Sequence, residues 1–327
     1  MLGLGIESTA HTFSCAIIDK TGKKGKILSD VRKIYRPDDG EGIHPREASR
    51  HHIENSSLVL SACLEEANVS IKDLDIVSYA AGPGLGPCLR VGAVVARSLS
   101  SFYKIPIYPV NHAIGHIELG KLLTGATNPL VLLVSGGHTM LLAFLNKQWR
   151  VFGETLDITL GQLLDQFGRS IGFASPCGKN IEELANTSSN YVTLPYSVKG
   201  NDVSFSGLLS ATKSVASKSK VDACYSLQET AFAMISEAVE RALSFTQKKE
   251  LMIVGGVAAN KRLSAMLKDV CQRHGCKFFV VPLRYAGDCG SQICWTGLLE
   301  SQIKEGASLK DTFVTQSWRL DSVKVDY

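Results

Sequence analysis

The stretch Asn111-His112-Ala113-Ile114-Gly115-His116, together with Leu130-Val131-Leu132-Leu133-Val134-Ser135-Gly136-Gly137-His138-Thr139, decides how this chain is read. In a helix, His112 and His116 lie four apart on one face, where two imidazoles can grip one metal ion. The apolar run Leu130 to Val134 predicts a strand, and it breaks into a glycine turn whose bare backbone N–H groups can wrap an anion. A metal grip followed by a phosphate-type turn points to an enzyme acting on a nucleotide or another phosphorylated ligand.

The surrounding chain sets bounds on that reading. Its 327 residues are too many for one compact core and suit two lobes. Apolar residues at 45% and charged residues at 20% are ordinary for a folded soluble protein. No stretch nears the roughly 20 uninterrupted apolar residues of a membrane span. The N-terminus, Met1 to Glu7, reads as a first strand and lacks the basic and long apolar segments of a signal peptide. Nine cysteines stand singly with no CxxC pair, which fits reduced thiols in a cytoplasm and opposes a disulfide or zinc-ribbon framework. A net charge of +4 permits a nucleic-acid partner without arguing for one.

Strands are expected at Met1–Glu7, Thr12–Ile18 and Ile27–Ile34, a loop over Pro37–Gly42, and a long helix from Pro45 to Ala67. Asp75–Ala80 reads as a strand, Gly82–Pro87 as a turn, the segment to Tyr103 as a helix, and Ile105–Val110 as a closing strand. A second lobe then opens as the first does, with strand, turn and returning strand (Thr139–Leu145). The pairs Ala10-His11-Thr12 and Gly137-His138-Thr139 echo one another. Helices are expected near 159–171, 206–218 and 223–248, the last with Leu227, Ala231, Met234, Ile235, Ala238, Val239 and Ala242 along one face. Strand Leu251–Val254, the turn Gly255-Gly256, a helix from Val257, strand Lys277–Val281 and a final helix from Gly287 complete an alternating α/β pattern. The expected division is 1–110 with 297–327 as lobe I and 111–296 as lobe II.

Each motif has a plain structural alternative. Two histidines four apart can be an ordinary helix pair, and Ala113 stands where an HExxH peptidase carries its glutamate. A third ligand must come from elsewhere, and Asp288 in Tyr285-Ala286-Gly287-Asp288-Cys289-Gly290 is the best placed; a glycine-flanked aspartate is also a common turn or cap. Ser135-Gly136-Gly137 and Gly255-Gly256-Val257-Ala258-Ala259-Asn260 are either turns needing glycine for positive φ or places where backbone approaches a phosphate and a purine. Neither matches a Walker loop or GxGxxG. Asp157, Asp165 and Glu182 are ribose acceptors or solvated helix faces. The basic group His44, Arg46, Arg50, His51 and His52 is a solvated face or a contact for RNA phosphates.

Individually weak, these motifs are specific in combination. The chain resembles the universal tRNA threonylcarbamoyladenosine transferase family, and looks like its archaeal and eukaryotic branch, the catalytic subunit of the KEOPS complex. The resemblance runs through Gly5-Ile6-Glu7-Ser8-Thr9-Ala10-His11-Thr12, Gly42-Ile43-His44-Pro45-Arg46-Glu47-Ala48, Gly82-Pro83-Gly84-Leu85, His112 with His116, Ser135-Gly136-Gly137, Ser204-Phe205-Ser206-Gly207 and Gly255 through Asn260. It implies an α/β, two-lobed actin-like ATPase fold, shared with sugar kinases and heat-shock ATPases, with a nucleotide cleft between lobes. It also implies one divalent metal ion, iron or zinc, on His112, His116 and Asp288. Nucleotide contacts carried over by motif are Val134, Ser135, Gly136 and Gly137 for phosphate, Asp165 and Glu182 near ribose, and Gly178 and Asn260 near the base. One departure stands out: archaeal relatives commonly place a metal-reaching tyrosine where this chain has Leu133.

The implied activity is transfer of a threonylcarbamoyl group from threonylcarbamoyl-AMP to N6 of the adenosine beside the anticodon in ANN-decoding tRNAs. ATP or an analogue can stand in the nucleotide's place. Glu7 and His11, on the first turn, are the candidates for a general base. The implied partners are tRNA, a synthase that supplies the adenylate, and a small atypical kinase with accessory subunits, with no membrane. The chain reads either as a free protein or as the first half of a kinase fusion. The rival readings are an ATP-binding actin-like module without transfer and a metallopeptidase.

Overall fold

The first strand alternates Leu4 and Ile6 with Gly3 and Gly5, and this alternation explains what packs on each face of its sheet. Leu4 and Ile6 are buried in an apolar core. A Cβ on Gly5 would lie 2.2 Å from the backbone nitrogen of Cys294 and one on Gly3 2.9 Å from Leu298, so the glycines let a C-terminal helix lie on the sheet backbone. The computed structural model describes residues 1–38 and 41–327. Asp39 and Gly40 of the expected Pro37–Gly42 loop lie outside the described residues.

Two units emerge. The first holds Met1–Arg36, Ile43–Leu123 and Asp288–Tyr327, and the second is built on Thr124–Gly287. The first contains β1 (Leu2–Glu7), β2 (Thr12–Thr21), β3 (Lys24–Ile34), α1 (Pro45–Ala67), β4 (Ile76–Gly82), α2 (Gly86–Tyr103), β5 (Ile107–Asn111) and α3 (His112–Thr124). The second contains β6 (Leu130–Val134), β7 (Thr139–Leu145), β8 (Gln148–Glu154), α4 (Leu160–Ser170), α5 (Gly178–Ala185), the short pair β9 (Val198–Lys199) and β10 (Asp202–Val203), α6 (Ser206–Ala216), α7 (Lys220–Thr246), β11 (Glu250–Val254), α8 (Lys261–Arg273), β12 (Lys277–Val280) and α9 (Leu283–Ala286). Helix α10 (Gly290–Glu300) returns the chain to the first unit. The boundaries therefore differ from the expected 110 and 296: α3 and the start of α10 belong to the first unit, where Gly115 packs against Gln292.

Each unit carries a five-stranded sheet, ordered β3-β2-β1-β4-β5 and β12-β11-β6-β7-β8. Reading the second from β8, both run antiparallel through the opening hairpins and then parallel through the last two strands. The echo around His11 and His138 thus sits at equivalent β1–β2 and β6–β7 turns. Strands β4 and β6 are buried along their whole length, as central strands covered on both faces must be. The apolar face read into 223–248 is buried against the second sheet. Strand β8 and helix α5 were not expected from the sequence. The anticipated helix at Val257 is a short 3-10 turn, with α8 starting at Lys261. Among the described residues no helix is long and apolar enough to cross a membrane.

Candidate metal centre and glycine-turn site

In the first unit, Asn111 begins α3 by accepting hydrogen bonds from Ala113 N and Ile114 N at 3.0 and 3.2 Å. The helix is buried on all sides of its first turns, and Gly115 is what lets it approach α10, since a Cβ there would sit 3.2 Å from Gln292 O. The approach brings Asp288 to the histidines: its Oδ1 lies 3.5 Å from His112 Nε2 and 3.3 Å from His116 Nε2. One donor atom from each of His112, His116 and Asp288 lies within 4.8 Å of the others. This N,N,O set is one that could hold a metal ion.

The ring of His112 is held from behind. Glu7, at the end of β1, is fully buried, and its Oε2 lies 2.8 Å from His112 Nδ1. A carboxylate only accepts, so Nδ1 carries a proton, and Nε2 is the ring atom turned toward Asp288. The other Glu7 oxygen accepts from Thr9 N at 2.6 Å, and Gln292 Nε2 donates to Oε2 at 3.3 Å. Burial opposes charge on both imidazoles, but at His112 the Glu7 carboxylate, supported by Asp288, pushes the pKa up to about 9. At His116 burial prevails, with the neighbouring His112 adding to it, and the pKa falls below the ordinary value. Burial also disfavours the Asp288 anion, yet the hydrogen bond from His116 and the charges of His112 and His11 hold it well below the usual carboxylate range.

In the second unit, the turn after β6 is partly self-satisfied rather than bare. Ser135 Oγ accepts from Gly137 N at 3.2 Å and His138 N at 3.0 Å, while Ser135 N donates to His138 O. Gly136 and Gly137 are exposed, have ordinary φ, and an added Cβ at either meets nothing within 4 Å. Neither conformation nor protein packing demands glycine there. Gly255 differs: its φ is +96°, and a Cβ would lie 2.3 Å from Val134 O, so the two glycine turns pack directly on one another. Val134 itself is a buried core residue and offers only its backbone. Leu133 is likewise a fully buried strand residue.

Asp165, Gly178, Glu182 and Asn260 form a chain of contacts in the same unit. Asp165 accepts from Cys177 N at 2.7 Å, just before Gly178 opens α5. Glu182 accepts from Lys261 N at 2.8 Å. Asn260 caps α8 through Arg262 N and Leu263 N and donates to Gln228 at 3.0 Å. Asp157 stands apart from them. It accepts from Ser204 Oγ, Phe205 N and both donors of Ser206, so it caps α6 and holds the Ser204-Phe205-Ser206-Gly207 motif. Burial works against its charge, but those hydrogen bonds hold its pKa well below the ordinary value.

The basic group at the start of α1 is not one surface. His52 is fully buried, within 3.0 Å of Ala10 O, and Arg50 pairs with Glu54. Sequence reasoning missed Gln292, which touches both Glu7 and His112, because no local pattern marks it. Of the two candidates for a general base, Glu7 has both its oxygens engaged within the first unit.

A family model described as tRNA N6-adenosine threonylcarbamoyltransferase matches residues 26–295. A protein of Staphylothermus marinus bearing that name is 46% identical over 336 residues, covering 99% of this chain and 99% of its own. A probable bifunctional tRNA threonylcarbamoyladenosine biosynthesis protein of Methanothermobacter thermautotrophicus is 46% identical over 329 residues, all of this chain but 61% of that protein. The chain thus spans under two thirds of that relative. Among solved structures, HypF of T. kodakarensis superposes with a TM-score of 0.65 at 13% identity, over 92% of this chain and 47% of its own. The (R)-2-hydroxyglutaryl-CoA dehydratase component A of Acidaminococcus fermentans gives 0.56 at 14%, over 92% and 99%. At such identities the likeness shows the fold alone, that of the actin-like ATPases.

Proposed function

Because the chain belongs to the tRNA N6-adenosine threonylcarbamoyltransferase family, we propose that it transfers a threonylcarbamoyl group from threonylcarbamoyl-AMP to N6 of the adenosine beside the anticodon in tRNA. In this acyl transfer the N6–carbon bond forms, the carbon–oxygen bond to phosphate breaks, AMP leaves with the bonding pair, and the amine gives up a proton. The observation that carries the reading is the His112–His116–Asp288 cluster with Glu7 behind it, in a chain of this family.

When bound by those three side chains, an iron or zinc ion supplies Lewis acidity toward the carbamoyl and phosphate oxygens. The protein's own groups do the rest. Glu7 fixes the His112 ring so that Nε2 serves as the ligand. The exposed glycines at 136 and 137 leave room for a phosphate against the backbone, which the empty space at their Cα atoms supports. Asp165, Gly178, Glu182 and Asn260 are assigned to the nucleoside, and their grouping in one unit supports that assignment. An exocyclic adenine amine is a poor nucleophile, so much of the acceleration comes from positioning. With Glu7 occupied, His11 is the remaining candidate base; it is half-buried. The proposed partners are tRNA, an adenylate-supplying synthase, and a small kinase with KEOPS-type accessory subunits, in the cytoplasm. The relatives' names do not favour a peptidase or a non-transferring ATP-binding module.

Reconstitution with the synthase, threonine, bicarbonate, ATP, unmodified tRNA and the partner subunits, read by nucleoside mass spectrometry, tests the proposal. Threonylcarbamoyladenosine should form only when this chain is present and disappear with His112→Ala. Modification at the normal rate by that variant would refute the role of the metal centre.

A further inference from the structure

Asp288 has no secondary structure of its own; it stands two residues before α10, so whatever fixes the start of that helix fixes the ligand. The start is held by β2 and β3. Gly290 N donates to Ser14 Oγ at 2.9 Å, and Ser291 donates to Asp30 Oδ2 twice, from its backbone nitrogen at 3.1 Å and from its hydroxyl. The carboxyl of Asp30 is completely enclosed. Its second oxygen accepts from Arg32 at 2.8 Å and lies 3.5 Å from the Ser14 hydroxyl. Arg32 continues the connection: its other terminal nitrogen reaches the backbone oxygen of Asp288 at 3.5 Å. A Cβ on Gly290 would fall 2.5 Å from Ala16 N, so the helix start is pressed on the sheet and cannot be moved by a small adjustment. The same first turn carries Gln292, which donates to the carboxylate that orients His112.

From this arrangement we infer that Asp30 is a positioning residue for the metal centre, acting through the first turn of α10 to set Asp288 and Gln292. The inference rests on the metal-site reading above. A buried carboxylate used only to stabilise the fold would need a counter-charge, which Arg32 supplies. It would not need both donors of Ser291, in the first turn of the helix that follows Asp288. Negative charge at a helix N-terminus, with the first amide held by Ser14 and the second by Asp30, keeps that end in one place. Removing such support from behind a ligand typically weakens metal binding by about 10–100-fold.

The test uses the full chain, freed of metal by chelation, with cobalt(II) as the probe. Affinity comes from competition with a chromophoric chelator, ligand geometry from the d–d absorption band, and integrity from thermal unfolding without metal. Asp30→Asn should remain folded, bind cobalt about 10–100-fold more weakly, and show an altered band. Ser291→Ala, which removes the hydroxyl contact alone, should fall between it and the wild type, and decides the matter if Asp30→Asn does not fold. Asp157→Asn, a cap in the other unit, should lose stability without losing cobalt affinity. A folded Asp30→Asn, or failing that Ser291→Ala, with wild-type affinity and spectrum overturns the role of Asp30. A wild-type chain that binds no cobalt at all overturns the metal reading itself, and the inference falls with it.

Discussion

Replacing Glu7 by glutamine asks whether a carboxylate is required behind His112. The wild-type side chain is fully buried and surrounded by donors: Thr9 N at 2.6 Å, His112 Nδ1 at 2.8 Å and Gln292 Nε2 at 3.3 Å. Glutamine offers one accepting oxygen and one donating NH2, so it cannot serve both ends. With its oxygen toward Thr9, the NH2 faces His112 Nδ1, and the ring proton is driven to Nε2, the atom that must ligate. With its oxygen toward His112, the NH2 meets the Thr9 amide. Either orientation leaves a buried polar group unsatisfied, at about 1–3 kcal/mol of stability. Loss of the carboxylate behind a ligating imidazole should also weaken metal binding by about 10–100-fold, or about 1.4–2.8 kcal/mol. The assays are thermal unfolding of the metal-free chain and chelator competition with zinc or cobalt. A Glu7→Gln chain that unfolds at the wild-type temperature and binds metal as tightly would refute the reasoning.

Other outcomes follow from the same structure. His116→Ala should abolish tRNA modification while leaving far-ultraviolet circular dichroism unchanged, since the ring's contacts are with Asp288 and His112. Gly137→Ala should leave stability unchanged or raise it by up to about 1 kcal/mol. The same change should lower AMP affinity in calorimetry, because the added methyl meets no protein atom; unaltered affinity would remove the phosphate from this turn. His52 titrates at about 4 instead of 6.5, first because it is buried and then because His51 lies beside it. The unfolded chain therefore binds the extra proton between those values, so the neutral ring's contribution is complete above pH 6.5 and lost as pH falls toward 4. The gap amounts to about 3 kcal/mol at 1.36 kcal/mol per pH unit. Urea unfolding across that range should show a slope that His52→Asn reduces, and equal slopes would contradict it. Asp157→Ala should destabilise the second unit by about 1–2 kcal/mol through the lost α6 cap, with nucleotide affinity unchanged.

The local elements were legible because their causes are local. The 3.6-residue spacing of Leu227 through Ala242, Pro45 at a helix start, the apolar runs ending in Ser135 and Gly255, and the histidine pair each lie within a few residues of one another. Strand β8 and helix α5 escaped for physical reasons. Strand β8 alternates imperfectly and is defined by pairing with β7, and α5 is only eight residues long and held by Asp165 at its start. The repeated topology was visible only as a short His-Thr echo, since strand order is a matter of pairing and not of composition.

By itself the sequence determined the α/β alternation, the two glycine turns and which side chains are chemically able to hold a metal or a nucleotide. Periodicity, glycine content and donor chemistry are properties of residues and their near neighbours. Only the tertiary structure decided which of those residues act together. Asp288 meets His116 across 172 positions because Gly5, Gly115 and Gly290 allow α3, α10 and β1 to touch at backbone distance. The same packing turned Glu7 from a candidate base into the support of His112, enclosed His52 within an apparently basic surface, and made Asp157 a helix cap. The role of a polar side chain is set by which donors and acceptors the fold brings to it, and those partners lie far away along the chain.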